Sequence, residues 1–93
     1  SVYPVVKGGI LSLSRYLAAY WGEKNIRINC ISPGGIEHPG ENATFVNKYS
    51  QKVPLGRKAK LREISGAAVY LSSDSATYIT GQNIIIDGGW TIW

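Results

Sequence analysis

Apolar residues recur at Val6, Ile10, Leu13, Leu17 and Tyr20, spacings of three and four that fall on one face of a helix predicted over residues 2–21. Ser1 stands where a cap would, Pro4 falls in the tolerant first turn, and Gly22 is placed as a stop. Gly8-Gly9 weakens that helix by about 1 kcal/mol per glycine but lets another backbone approach closely. From residue 26 the period changes. Ile26, Ile28, Cys30 and Ile31 alternate with or flank Arg27 and Asn29, predicting a strand over 26–31 that Ser32-Pro33-Gly34-Gly35 ends. Residues 35–56 are polar and turn-rich, with one short helical segment over 43–52; a connection this long is functional or mobile. Leu61, Ile64, Ala68 and Leu71 mark the inward stripe of a helix over 61–71. A last strand over 83–87 carries the run Ile84-Ile85-Ile86, the pattern of a strand covered on both faces. Gly88-Gly89 and an aromatic tail, residues 90–93, close the chain.

Strand, helix and strand in this order imply a parallel pair joined by a right-handed crossover, an α/β layer. Two parallel strands do not make an independent α/β domain, so further strands are expected from elsewhere.

Composition sharpens this expectation. The chain has 93 residues, ten of them aromatic, and 17% are charged, against a usual level of about 25%. So apolar a surface suggests area meant to be covered by further sequence or by partner subunits. The absence of methionine suggests that residue 1 is not the natural start. The net charge of +4 is dispersed except for Arg57, Lys58, Lys60 and Arg62. No aromatic interleaves that cluster, which reads as a solvated loop and helix start; no nucleic-acid partner is expected. A single cysteine, Cys30, in an apolar stretch reads as a structural thiol. No apolar run approaches the roughly 20 residues that span a bilayer, and no signal peptide is visible, so a cytoplasmic protein without membrane contact is expected.

Tyr3 and Lys7 stand at i and i+4 and share a helix face. A tyrosine hydroxyl titrates near 10, too high for ready proton exchange at neutral pH. A neighbouring ammonium favours the phenolate and lowers that value, so the pair is suited to general acid/base work. On spacing alone the signal is weak and reads as a surface pair on a helix. The neighbouring sequence narrows the choice. After Lys7 come Gly8-Gly9-Ile10-Leu11 and Leu13-Ser14-Arg15-Tyr16-Leu17-Ala18. Asn25-Ile26-Arg27-Ile28-Asn29-Cys30-Ile31-Ser32-Pro33-Gly34 is next, then Pro54-Leu55-Gly56-Arg57 and Leu71-Ser72-Ser73-Asp74. Ile79-Thr80-Gly81-Gln82 and Ile86-Asp87-Gly88-Gly89 complete the series. In this order and register the chain resembles the short-chain dehydrogenase/reductase family along essentially its whole length.

The resemblance implies the C-terminal part of a Rossmann-like doubly wound parallel sheet, with residues 1–93 forming a single partial domain. It implies an NAD(P)-dependent oxidoreductase that interconverts an alcohol and a carbonyl. Tyr3 would be the general acid/base, and Lys7 would lower its pKa and bind the nicotinamide ribose. Pro33 and Gly34 would form the turn beside the nicotinamide, and Ile36 would offer its backbone to the carboxamide. His38 stands where the family commonly has a cofactor-contacting threonine, and residues 37–53 would be the substrate lid. Glu37, His38, Glu41, Asn42, Asn47 and Lys48 make that lid polar, which leans towards a sugar derivative or hydroxy acid. The family's catalytic serine and its glycine-rich pyrophosphate turn would lie in preceding sequence, so NAD and NADP are not distinguished, and the 93 residues alone would be a catalytically silent, self-associating piece. A homodimer or homotetramer is implied, through residues 3–21, 61–71 and 83–93.

Overall fold

The computed structural model describes the backbone of residues 2–92 and the side chains of residues 4–92. Helix α1 (Val2–Trp21) is followed by strand β1 (Cys30–Pro33), helices α2 (Ala43–Gln51) and α3 (Leu61–Ser72), and strand β2 (Asn83–Ile86). Single 3₁₀ turns occupy Gly22–Lys24, Asp74–Ala76 and Trp90–Ile92. The expected element order is therefore present. The cap foreseen at Ser1 and the side chain of Trp93 lie outside the described residues.

The chain divides into two compact units, Ser1–Cys30 with Val69–Ile84, and Ile31–Ala68 with Ile85–Trp93. Each strand passes from the first unit into the second. β1 and β2 are hydrogen-bonded neighbours. The Cys30 N–H donates to Gln82 O and the Gly34 N–H to Ile86 O, each at 2.8 Å, so the register advances in one direction and the pair is parallel.

In the first unit, the face that α1 covers shares only Leu17 with the one its apolar period marks. Val6, Ile10, Leu13 and Tyr20 are exposed, while Leu11, Ser14 and Leu17 are half-buried and Ala18 is buried. Small side chains make the closest packing: Ala76 is fully buried, and a Cβ built on Gly81 would lie 3.6 Å from that of Ala18. Nothing described comes within 4 Å of a Cβ on Gly8 or Gly9. The helix stop also moves. The chain tightens through Gly22–Lys24, and Asn25, not Gly22, takes the left-handed conformation, with its N–H bonded to Gly22 O at 2.9 Å.

The first strand begins at Cys30 rather than at residue 26, for an identifiable reason. Between residues 27 and 29 one backbone bond remains, from the Gly81 N–H to Ile28 O at 2.8 Å, and side chains make the other cross-links. Arg27 Nη1 and Asn29 Nδ2 both donate to Ile79 O, at 3.1 and 3.0 Å. The Ile28 N–H donates to Thr80 Oγ1, and the Gln82 N–H to Asn29 Oδ1. The Cys30 thiol, half-buried, donates to Ser14 Oγ at 2.9 Å, which fits a structural role.

In the second unit, Asn42 caps α2 by accepting the Phe45 N–H on its side-chain oxygen at 3.0 Å. Val53 is the buried apolar residue. The stripe foreseen on α3 is partly misplaced: Ile64 and Ala67 are half-buried, whereas Leu61 and Ala68 are exposed. β2 is not covered on both faces, since Ile85 is 53% exposed. Among the described residues no helix is long and apolar enough to cross a membrane.

Candidate functional site

The six residues singled out from the sequence fall into two sets. Tyr3 and Lys7 lie on α1 in the first unit, one turn apart; the Tyr3 side chain is outside the described residues, and Lys7 is exposed. Pro33, Gly34, Ile36 and His38 lie in the second unit, where the chain leaves β1 and turns.

That turn is held almost completely by hydrogen bonds. Gly34 N–H reaches Ile86 O at 2.8 Å. Gly35 accepts on its carbonyl from the Ala59 N–H at 2.8 Å, and Ala59 O accepts from the Glu37 N–H at 2.9 Å, a parallel bridge that pairs Ile36 with Ala59. Gly35 N–H donates to the Tyr49 hydroxyl at 2.6 Å. In a parallel bridge of this pattern the middle residue turns its own N–H and C=O away from the partner. Ile36 is that residue, and its backbone groups take no part in the network.

The two glycines are required by protein atoms. A Cβ on Gly34 would lie 2.9 Å from Asp87 Cα, and one on Gly35 would lie 2.6 Å from the Tyr49 ring. Asp87 organises the turn beyond β2: Oδ1 accepts the Gly89 N–H at 2.9 Å and Oδ2 the Thr91 N–H at 3.1 Å. Burial pushes its carboxyl up, but these N–H bonds outweigh burial and hold it below the ordinary value.

The basic cluster is solvated at Arg57, Lys60 and Arg62 but not at Lys58. Lys58 is 8% exposed, bonded to Glu41, with Nζ 4.8 Å from the Phe45 ring centre and 5.3 Å from that of Tyr49. Arg57 grips Glu63 with two bonds of 2.7 and 2.8 Å, and Lys60 reaches Glu37 at 2.9 Å. The sequence shows four cations close together, but their acidic partners sit up to 23 positions away, so composition could not reveal the pairing. The Lys58 bond, aided by the His38 N–H, holds Glu41 below its usual carboxylate range against the opposing effect of burial. Arg57 holds Glu63 down at about 2, helped by the Lys60 N–H.

His38 is outward-facing, its side chain 68% exposed, with Nε2 3.5 Å from Glu41 Oε1. Its backbone N–H donates to Glu41 Oε2 at 3.2 Å. Beside it opens a groove of about 460 Å³, lined by Glu37, His38, Pro39, Val46, Ser50 and Lys58 among others, a size suited to a small molecule. Tyr49 was not singled out from the sequence, and Trp90 was read only as part of the aromatic tail expected to meet a partner subunit. The one available hint was the i, i+4 aromatic pair Phe45 and Tyr49, whose ring centres are 6.4 Å apart.

Comparison with known proteins agrees with this architecture. A family model described as enoyl-(acyl carrier protein) reductase matches residues 1–91. D-arabinitol 2-dehydrogenase (ribulose-forming) of Candida tropicalis is 37% identical over 99% of this chain and 35% of its own length. The 3-oxoacyl-[acyl-carrier-protein] reductase FabG of Chlamydia trachomatis is 43% identical over 94% of this chain and 36% of its own. A crystal structure of a short chain dehydrogenase from Leptospira borgpetersenii with bound NAD+ superposes with a TM-score of 0.90 at 43% identity, over 98% of this chain and 35% of that one. The chain thus spans about a third of the length of the relatives it matches, and its helices and small parallel sheet are part of a Rossmann-type fold. It belongs to the short-chain dehydrogenase/reductase family.

Proposed function

We propose that these 93 residues are the C-terminal part of an NAD(P)-dependent oxidoreductase that interconverts an alcohol and a carbonyl. The observation that carries this reading is the turn after β1. Gly34, Gly35 and Glu37 commit their N–H groups to Ile86, Tyr49 and Ala59, and among the described residues the backbone N–H and C=O of Ile36 stay outside that network. A donor and an acceptor side by side on a held backbone match a primary amide, which fits the nicotinamide carboxamide. Pro33 and Gly34 would flank it, and His38 would stand at the rim.

When bound, the nicotinamide supplies or takes the hydride. Tyr3 gives its hydroxyl proton to the carbonyl oxygen in reduction and takes one from the alcohol in oxidation. Lys7, one turn on, favours the phenolate by its charge and holds the ribose hydroxyls. The polar groove beside His38 suits a hydroxylated substrate, in keeping with the arabinitol dehydrogenase among the relatives. The exposed apolar face of α1, with Val6, Ile10, Leu13 and Tyr20, supports self-association in a homodimer or homotetramer, and the cell compartment proposed is the cytoplasm. Tyr3→Phe in the full-length protein tests the chemistry: turnover should fall by about 10²–10⁴, and undiminished turnover refutes the assignment.

The chain spans only about a third of its relatives, which favours a second reading for the 93 residues alone: no cofactor affinity and no turnover. Calorimetric titration of the isolated chain with NADH checks it, and saturable micromolar binding contradicts it.

A further inference from the structure

We propose that Tyr49 is a positioning residue for the cofactor turn, coupling the lid helix α2 and the segment after β2 to the backbone of Gly35 and Ile36. The inference rests on the nicotinamide reading of that turn.

The turn runs through Pro33, which has no N–H, and then through two glycines, the residues with the most backbone freedom to lose. Such a segment needs anchors from outside. Three of the four anchors are backbone groups, one on β2 and two on Ala59. The fourth is a side chain, the Tyr49 hydroxyl, 2.6 Å from Gly35 N. Gly35 and Tyr49 are mutually fitted, because any Cβ on residue 35 would collide with the ring at 2.6–3.0 Å.

The ring is itself fixed. It stacks on Trp90 with centroids 5.1 Å apart and planes inclined by 23°. Lys58, 5.3 Å from its centre, is held in turn by Glu41. Trp90 opens the 3₁₀ turn that Asp87 secures through Thr91. Movement of α2 or of the Trp90 turn therefore acts on the Gly35 amide, one residue from the groups offered to the cofactor.

Tyr49→Phe removes the hydroxyl and leaves the ring and its stack. In the full-length protein the Gly35 amide should exchange with solvent faster. NADH affinity by calorimetry, and the cofactor KM, should weaken about three- to tenfold, the worth of one hydrogen bond. kcat and the alcohol KM should change less than twofold. Trp90→Ala should act in the same direction, and Trp90→Phe should restore the parent behaviour by keeping a stacking ring. If exchange at Gly35 quickens without loss of NADH affinity, or neither changes, the positioning role is overturned. The same result holds if cofactor and alcohol KM rise together. Tyr3→Phe measured in parallel separates the two ideas: loss of turnover with an unaltered Tyr49→Phe protein sinks only this inference, whereas retained turnover sinks the parent reading.

Discussion

The two units stabilise short elements by opposite means. The first is sewn by hydrogen bonds that pair no two opposite charges, between Arg27, Ile28 or Asn29 and the segment 79–82, over small residues such as Ala18 and Ala76. The second relies on charge and aromatic rings: Glu41 with Lys58, Glu63 with Arg57, and Tyr49 against Trp90. Bonds to backbone carbonyls and amides fix a chain without responding to conditions. Carboxylates held ionised by neighbouring cations make a region that responds to pH. The proposed roles divide only in part along the same line, with proton transfer and the ribose contact of Lys7 on α1 and the nicotinamide turn in the second unit.

The largest expected effect sharpens that division. Tyr3→Phe should lower turnover by about 10²–10⁴ while leaving NADH affinity within about twofold by calorimetry; a parallel loss of affinity would blur the two roles. Next comes one substitution made in both units. Gly34→Ala forces a Cβ to within 2.9 Å of Asp87 Cα, and the cost should be about 1–3 kcal/mol by urea unfolding of the full-length protein. Gly8→Ala meets open space in a helix and should stabilise by up to about 1 kcal/mol. Equal effects at both positions would break the comparison.

Acid should act through the second unit. Glu63 titrates at about 2, below its ordinary 4.5, because Arg57 and the Lys60 N–H favour the carboxylate. A folded value below the unfolded one means that protons favour the unfolded chain. The stability that Glu63 adds is complete above pH 4.5 and is lost as pH falls towards about 2; Glu41 and Asp87 shift in the same direction. In a variant keeping Trp90 as its single tryptophan, the urea midpoint should fall through this window, and Glu63→Gln should flatten the fall. An equally steep fall in Glu63→Gln contradicts the assignment. The smallest effect is the cap: Asn42→Ala should cost about 1 kcal/mol by thermal unfolding, and Asn42→Ser should recover most of it.

Much of this was legible along the chain. Periodicity located all three helices, α3 to within a residue of its end, and the ordered motifs carried the family. The failures are physical. The strand expected from residue 26 starts at Cys30 because Arg27 and Asn29 spend their side chains on Ile79 O. Of the apolar period of α1 only Leu17 packs; Val6, Ile10, Leu13 and Tyr20 stay exposed, and Leu11, Ser14 and Ala18 complete the packed face. In the cation cluster Arg57, Lys58 and Lys60 each have an acidic partner, and Lys58 is buried.

The sequence by itself determined which segments are helix and strand, the family, and the residue types available for proton transfer and cofactor contact. Those come from local periodicity and from motifs only a few residues long. The tertiary structure alone decided that Tyr49 holds Gly35, that Lys58 is buried against Glu41, and that Ile36 keeps its backbone groups out of the turn's network. Each is a contact between residues 14 or more positions apart or the outcome of one, set by how the chain closes on itself, and no local pattern encodes which distant partner a side chain will meet.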